Sequence, residues 1–255
     1  MKPFILLNKP QGMTPLAAIE LYRQRNPEYA SVSLGVAGRL DPMADGLLLV
    51  LIGDENKKRH AYEVFPKTYT MDILFGYSSD SHDLLGLVNE MKDTSALTRQ
   101  AVESAVTELP DSFEQEYPIY SSKPVQGKPL YWWARNGKIH EITLPKKRVH
   151  IQQKIVTSWK IIDSAELLAV LTQKIQQVTG DFRQKEIITK WEEVLSTRTG
   201  QVWPIATVSV TCSSGTYMRG LAHMIGRTVL TGALAFSITR THIGPHKLDE
   251  ATQCI

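Results

Sequence analysis

The sequence predicts a mixed α/β (α+β) chain, on three observations. Residues 67–75 and 202–212 alternate apolar and polar side chains with the period of two expected of strands. Outside such runs lie segments with apolar residues at helical spacing, such as Leu16, Ile19 and Tyr22. The chain has 255 residues, 42% hydrophobic and 22% charged. That supports a real core in one large domain or two smaller ones.

The elements follow in order. Phe4-Ile-Leu-Leu7 reads as a short buried strand. Thr14 is placed as an N-cap and Pro15 as the first residue of a helix. Residues 35–46 form a central turn, and Leu47-Leu-Leu-Val-Leu-Ile52 is a strand or another buried segment, since period alone does not separate them. Residues 54–64 read as a charged surface helix. Residues 67–75 form a strand with Tyr69, Met71, Ile73 and Phe75 on one face, and 77–86 a polar loop. Residues 98–109 read as a helix and 149–162 as a strand. Two helical patterns, broken near Gly180-Asp181, fill 163–196 as an inserted hairpin. The alternating strand 202–212, a turn, a helix over 220–230 and a short strand over 235–238 end the series.

Composition excludes several classes. A net charge of +3 permits an anionic partner without requiring one. The two cysteines, Cys212 and Cys254, form neither a metal motif nor a disulfide framework, so an intracellular, cytoplasmic setting is expected. The seven histidines show no ligand spacing. No P-loop fingerprint, signal-length apolar run or membrane-length segment is present.

The chain is organised around Gly-Arg-Leu-Asp-Pro-Met-Ala-Asp-Gly, residues 38–46. Pro42 biases Asp41 toward extended backbone, and the flanking glycines allow close turns. A carboxylate there is both held and accessible, although the same pattern also makes an ordinary turn. Residues 117–137 interleave Lys123, Lys128 and Arg135 with Tyr120, Tyr131, Trp132 and Trp133. That mixture suits base stacking with phosphate contact, and equally an amphipathic helix with inward rings.

Several separated segments, in order, resemble the TruB-type tRNA pseudouridine synthases. They are Leu-Leu-Asn-Lys-Pro-Gln-Gly-Met-Thr (6–14), Leu-Asp-Pro-Met-Ala-Asp-Gly-Leu-Leu (40–48), Lys-Thr-Tyr (67–69) and Ser-Asp-Ser-His-Asp (79–83). Further along come Tyr-Ser-Ser-Lys-Pro-Val-Gln-Gly-Lys-Pro-Leu-Tyr (120–131), Cys-Ser-Ser-Gly-Thr-Tyr-Met-Arg (212–219) and the run 238–251. The resemblance implies a mixed, largely antiparallel central sheet flanked by helices and crossed by a cleft. It implies isomerisation of a T-loop uridine of tRNA, position 55, after base flipping, with no cofactor and no metal. A monomer that engages the tRNA T-arm and no membrane is expected.

By the same resemblance, Asp41 is the nucleophile. Arg219 pairs with it, and Tyr69 stacks on the flipped base and is a candidate proton acceptor. Tyr217, Ile238 and Asp83 border the uracil, and Val36 occupies a substrate-side position where the family carries histidine. Lys123, Lys128, Tyr131, Arg135 and Arg240 are the RNA-binding candidates. The 163–196 hairpin is not usual in the family. Residues 1–255 are expected to form a catalytic domain without the C-terminal RNA-binding (PUA) domain of many relatives. Arg39-Leu40-Asp41 also matches synthases that act on ribosomal RNA. Another RNA target, and an RNA-binding or RNA-folding protein with little catalysis, therefore stand beside the tRNA reading.

Overall fold

The computed structural model describes residues 2–254. β1 (Phe4–Lys9) leads into α1 (Pro15–Arg25), then β2 (Leu34–Val36) and β3 (Ala44–Ile52). A 3₁₀ segment and α2 (Arg59–Glu63) precede β4 (Lys67–Phe75), β5 (Tyr77–Ser79), β6 (Val88–Met91) and α3 (Arg99–Thr107). Next come β7 (Ser112–Glu116), β8 (Pro124–Val125), β9 (Lys128–Pro129) and α4 (Leu130–Arg135). β10 (Lys146–Asp163) and β11 (Val202–Cys212) flank α5 (Ser164–Gln176) and α6 (Gln184–Ser196). α7 (Met218–Thr228), β12 (Ala233–Ile243), β13 (His246–Lys247) and β14 (Thr252–Gln253) follow.

A ten-stranded sheet runs β14-β1-β3-β12-β4-β11-β10-β7, with β2 on β3 and β13 on β12. Within it, β1 and β14 pair parallel, as do β3 and β12; the other strand pairs are antiparallel. The sheet is thus mixed and largely antiparallel, flanked by helices. The uninterrupted apolar run of β3 is explained by its central place, because both its faces are buried. Leu48 and Val50 enter the main core with α1, α3 and α7, while Leu47, Leu49 and Leu51 pack on the opposite side.

The α5–α6 hairpin lies between β10 and β11, whose ends still pair at Asp163 and Val202. Asp163 caps α5 by accepting from the Ala165 and Glu166 amides, which contributes about 1 kcal/mol. Leu167, Leu171 and Ile175 on α5, and Ile187, Trp191 and Leu195 on α6, recur every four residues. They bury one stripe against Tyr77, Trp203 and Phe236. Thr14 caps α1 as expected, accepting from the Ala17 amide at 3.1 Å.

Four local expectations are corrected. The central turn is shorter than 35–46, because residues 34–36 pair with β3. The 54–64 helix is half 3₁₀, over Gly53–Lys58. The polar stretch 77–86 is largely buried: the Ser79 and Ser81 hydroxyls donate to Asp83, and Arg219 donates to the Ser81 carbonyl. The last long strand covers eleven residues rather than four, because Arg240 is accepted inside the sheet.

Candidate active site

Asp41 opens a tight turn in which the Ala44 amide donates to the Asp41 carbonyl at 3.1 Å. Ala44 then starts β3 beside Ile238 of β12. Three separate ties hold this turn. The Gly12 amide donates to the Pro42 carbonyl at 2.8 Å. The buried Lys9 ammonium donates to the carbonyls of Pro10, Met13 and Ala44. Arg240 donates to the carbonyls of Gly38, Arg39 and Leu47. Gly46 cannot be replaced freely: its φ is +98° and an added Cβ would collide with the Arg240 carbonyl.

Arg219, on the first turn of α7, donates from Nε to Asp41 Oδ2 at 2.7 Å. Its two terminal nitrogens donate to the carbonyls of Ser81, at 2.8 Å, and Tyr120, at 3.3 Å. Asp83 Oδ2 lies 3.6 Å from Arg219 Nε. The arginine side chain is 3% exposed and the Asp41 side chain 39%. The pair therefore presents its carboxylate, not its cation, to solvent. Burial works against the charge on Arg219, but Asp41 and Asp83 more than offset it and raise its pKa. Burial pushes the Asp83 carboxyl up, against the pull of Arg219 and the Ser81 hydroxyl.

Tyr69 sits on β4 directly across from Arg240. Burial raises its phenol pKa, and both Arg240 and Asp41 lie close enough to act on it. Tyr217 immediately precedes α7. Its phenol is pushed up to about 12 by burial and by Asp41, and its ring meets Tyr117 edge-on at 5.4 Å between centroids. Gln115 clamps the Tyr217 backbone, accepting from its amide at 2.8 Å and donating to its carbonyl at 2.9 Å. Ile238 is buried beside the Asp41 turn.

Two assignments change. Arg240 is 1% exposed, with its guanidinium committed to backbone carbonyls. It supports the Asp41 turn from below and is not an RNA-facing residue. Val36 pairs with Val50 and is 6% exposed within the main core, so it offers a substrate neither polar atom nor open surface. Sequence reading missed Lys9 and Gln115 as supports. Lys9 stood within the motif segment 6–14, and no periodicity marked it as buried.

The basic segment is divided. Lys128, Tyr131 and Arg135 are exposed and Lys123 is half-buried. Lys123 lies over the Tyr117 ring and Lys128 over Trp132, at 5.1 and 5.4 Å from the centroids. Trp133 turns inward and donates to the Val125 carbonyl. Arg135 pairs with Asp181 at 2.9 Å. Among the described residues, no cluster of His, Cys, Asp or Glu is arranged to hold a metal ion, and no helix is long and apolar enough to cross a membrane.

Comparison with known proteins places the chain among the pseudouridine synthases, a class of isomerases. Residues 28–176 match the TruB family pseudouridylate synthase (N terminal domain). The tRNA pseudouridine synthase B of Carboxydothermus hydrogenoformans is 31% identical over 98% of this chain and 73% of its own length. That of Nitratidesulfovibrio vulgaris is 31% identical over 97% of this chain, which spans 65% of it. That of Bacteroides thetaiotaomicron is 27% identical over 96% of this chain and 87% of its own length. In a solved Cbf5–Nop10–Gar1 complex, a chain matches in fold with a TM-score of 0.60 at 17% identity, covering 98% of this chain and 51% of that one. The chain belongs to the TruB family.

Proposed function

We propose that the protein isomerises the uridine at position 55, in the T loop of tRNA, to pseudouridine. The reaction breaks the N1–C1′ bond, rotates the uracil, forms C5–C1′ and moves the C5 proton away as N1 regains one. Asp41 is the nucleophile, Arg219 holds and orients its carboxylate through the 2.7 Å contact, and the Tyr69 ring stacks on the flipped base. Tyr217 and Ile238 border the uracil, and Asp83 backs Arg219 near the site. Lys123, Lys128 and Tyr131 grip the RNA. Base flipping opposes binding by about a few kcal/mol, which these backbone and stacking contacts offset.

The observation that carries this reading is the Arg219–Asp41 contact of 2.7 Å, with the arginine buried and the carboxylate open. The relatives' names supply the substrate class. The test is recombinant protein on a tRNA transcript, with pseudouridine mapped by position. Conversion of the T-loop uridine by the wild type, and none by Asp41→Asn at unchanged RNA affinity, is the expected result. Modification that persists in Asp41→Asn sinks the role of Asp41.

The Arg39-Leu40-Asp41 run, similar to that of synthases acting on ribosomal RNA, favours a second target within the same chemistry. Mapping pseudouridine in total RNA with and without the gene separates the two: loss at a site outside tRNA, with position 55 intact, selects the other target.

A further inference from the structure

The tip of the α5–α6 hairpin reaches the supports of the Arg219–Asp41 pair. Arg183, just before α6, holds a left-handed backbone with φ of 65°, which non-glycine residues adopt rarely. Its guanidinium forms a fork on Asp80, with contacts of 2.9 and 3.1 Å. The same group lies 4.4 Å from the centroid of the Tyr120 ring. The Arg183 and Asp80 side chains are 18% and 22% exposed, so the pair is sheltered from solvent screening. Asp80 and Tyr120 carry or adjoin the two carbonyls that grip Arg219, those of Tyr120 and Ser81.

A second tie runs through the neighbouring loop. The Thr179 amide donates to the Gly12 carbonyl at 2.9 Å, and the Gly12 amide donates to Pro42 in the Asp41 turn. Charge argues against a direct RNA-binding role for the hairpin. Residues 163–201 hold six acidic and five basic side chains, whereas a phosphate-binding module needs a positive excess.

We propose that the α5–α6 hairpin is a brace for the active site, with Arg183 as its positioning residue. Through Asp80 and Tyr120 it keeps the Ser81 and Tyr120 carbonyls in register on Arg219, and so fixes the direction of Asp41. The assignment rests on Asp41 and Arg219 being the reacting pair. A hairpin that merely covers the second core would leave the rate of the chemical step alone.

The test uses the full chain and a T-arm RNA under single-turnover conditions. Arg183→Ala is expected to slow conversion at saturating RNA by roughly tenfold or more, with the Kd for RNA within about twofold of wild type. Arg183→Lys retains the charge but not the fork or the flat face, and should recover only a minor part of the rate. Asp80→Asn weakens the fork from the other side and leaves the hairpin intact. Its effect should not add to that of Arg183→Ala. Hydrogen exchange should rise at residues 79–84 and 118–122 in Arg183→Ala and stay unchanged in α3.

A wild-type rate in Asp80→Asn overturns the proposal even if Arg183→Ala does not fold. So does a loss confined to RNA affinity, or exchange identical to wild type. If the wild type leaves the T-loop uridine unmodified, the target assignment fails, and the exchange measurement still judges the brace.

Discussion

Arg219 Nε and Asp41 Oδ2 are 2.7 Å apart although 178 residues separate them in sequence. Asp83, almost buried, shares the same arginine at 3.6 Å. One buried cation thus serves an open carboxylate on one side and a closed one on the other.

That sharing separates catalysis from stability. Arg219→Lys keeps a charge but cannot reach Asp41 and two carbonyls at once, and should lower the single-turnover rate by about 10²-fold or more. Arg219→Met leaves Asp83 buried without its counter-ion, a loss of about 3–5 kcal/mol in urea unfolding. Adding Asp83→Asn should recover part of that stability without restoring activity. A double variant less stable than Arg219→Met contradicts the shared-cation picture.

Arg240 and the basic segment should fall into different kinetic classes. Arg240→Met unties the carbonyls of Gly38, Arg39 and Leu47 and leaves them buried, so stability and the saturating rate both drop while RNA affinity holds. Lys128→Ala should weaken binding, reduce its salt slope by about one and leave the saturating rate unchanged. An Arg240 variant that loses salt-dependent affinity instead would restore that residue to the RNA surface.

Lys9 predicts a pH signature. Burial lowers its ammonium from 10.5 to about 8, although Asp45 and Asp41 pull the other way. Between those values the unfolded chain keeps a proton that the folded chain has released. Stability from this group therefore rises as pH goes from about 8 to 10.5 and is at its lowest, and flat, below that window. Relative to Lys9→Met, the wild type should gain on the order of a few kcal/mol across it. Thiols and phenols titrating nearby cancel in the comparison to the extent that they titrate alike. A constant difference from pH 7 to 10.5 rules out the buried ammonium.

Local patterns were legible wherever one physical cause dominated. The period of two in β4 and β11, the Thr14-Pro15 start of α1, and the fourfold spacing in α5 and α6 all survive in the fold. Reading failed where burial overrode polarity. Residues 77–86 look like a surface loop, and Arg240 looks like a phosphate ligand, because composition reports what a side chain prefers in water. Inside the protein, Ser79, Ser81 and Asp83 bond to one another or to Arg219, while Arg240 bonds to carbonyls, and the preference is reversed.

The family and the interleaved α/β character were contained in the linear order of residues, which also nominated Asp41, Tyr69 and Arg219 as candidates. Residue type and short-range spacing carry that information. Only the folded chain decided that Arg219 is shared between Asp41 and Asp83, that Lys9 and Arg240 lie beneath the Asp41 turn, and that Arg183 reaches Asp80 from 103 residues away. Those relations depend on which strands become neighbours, and strand order is set by packing both faces of the sheet at once.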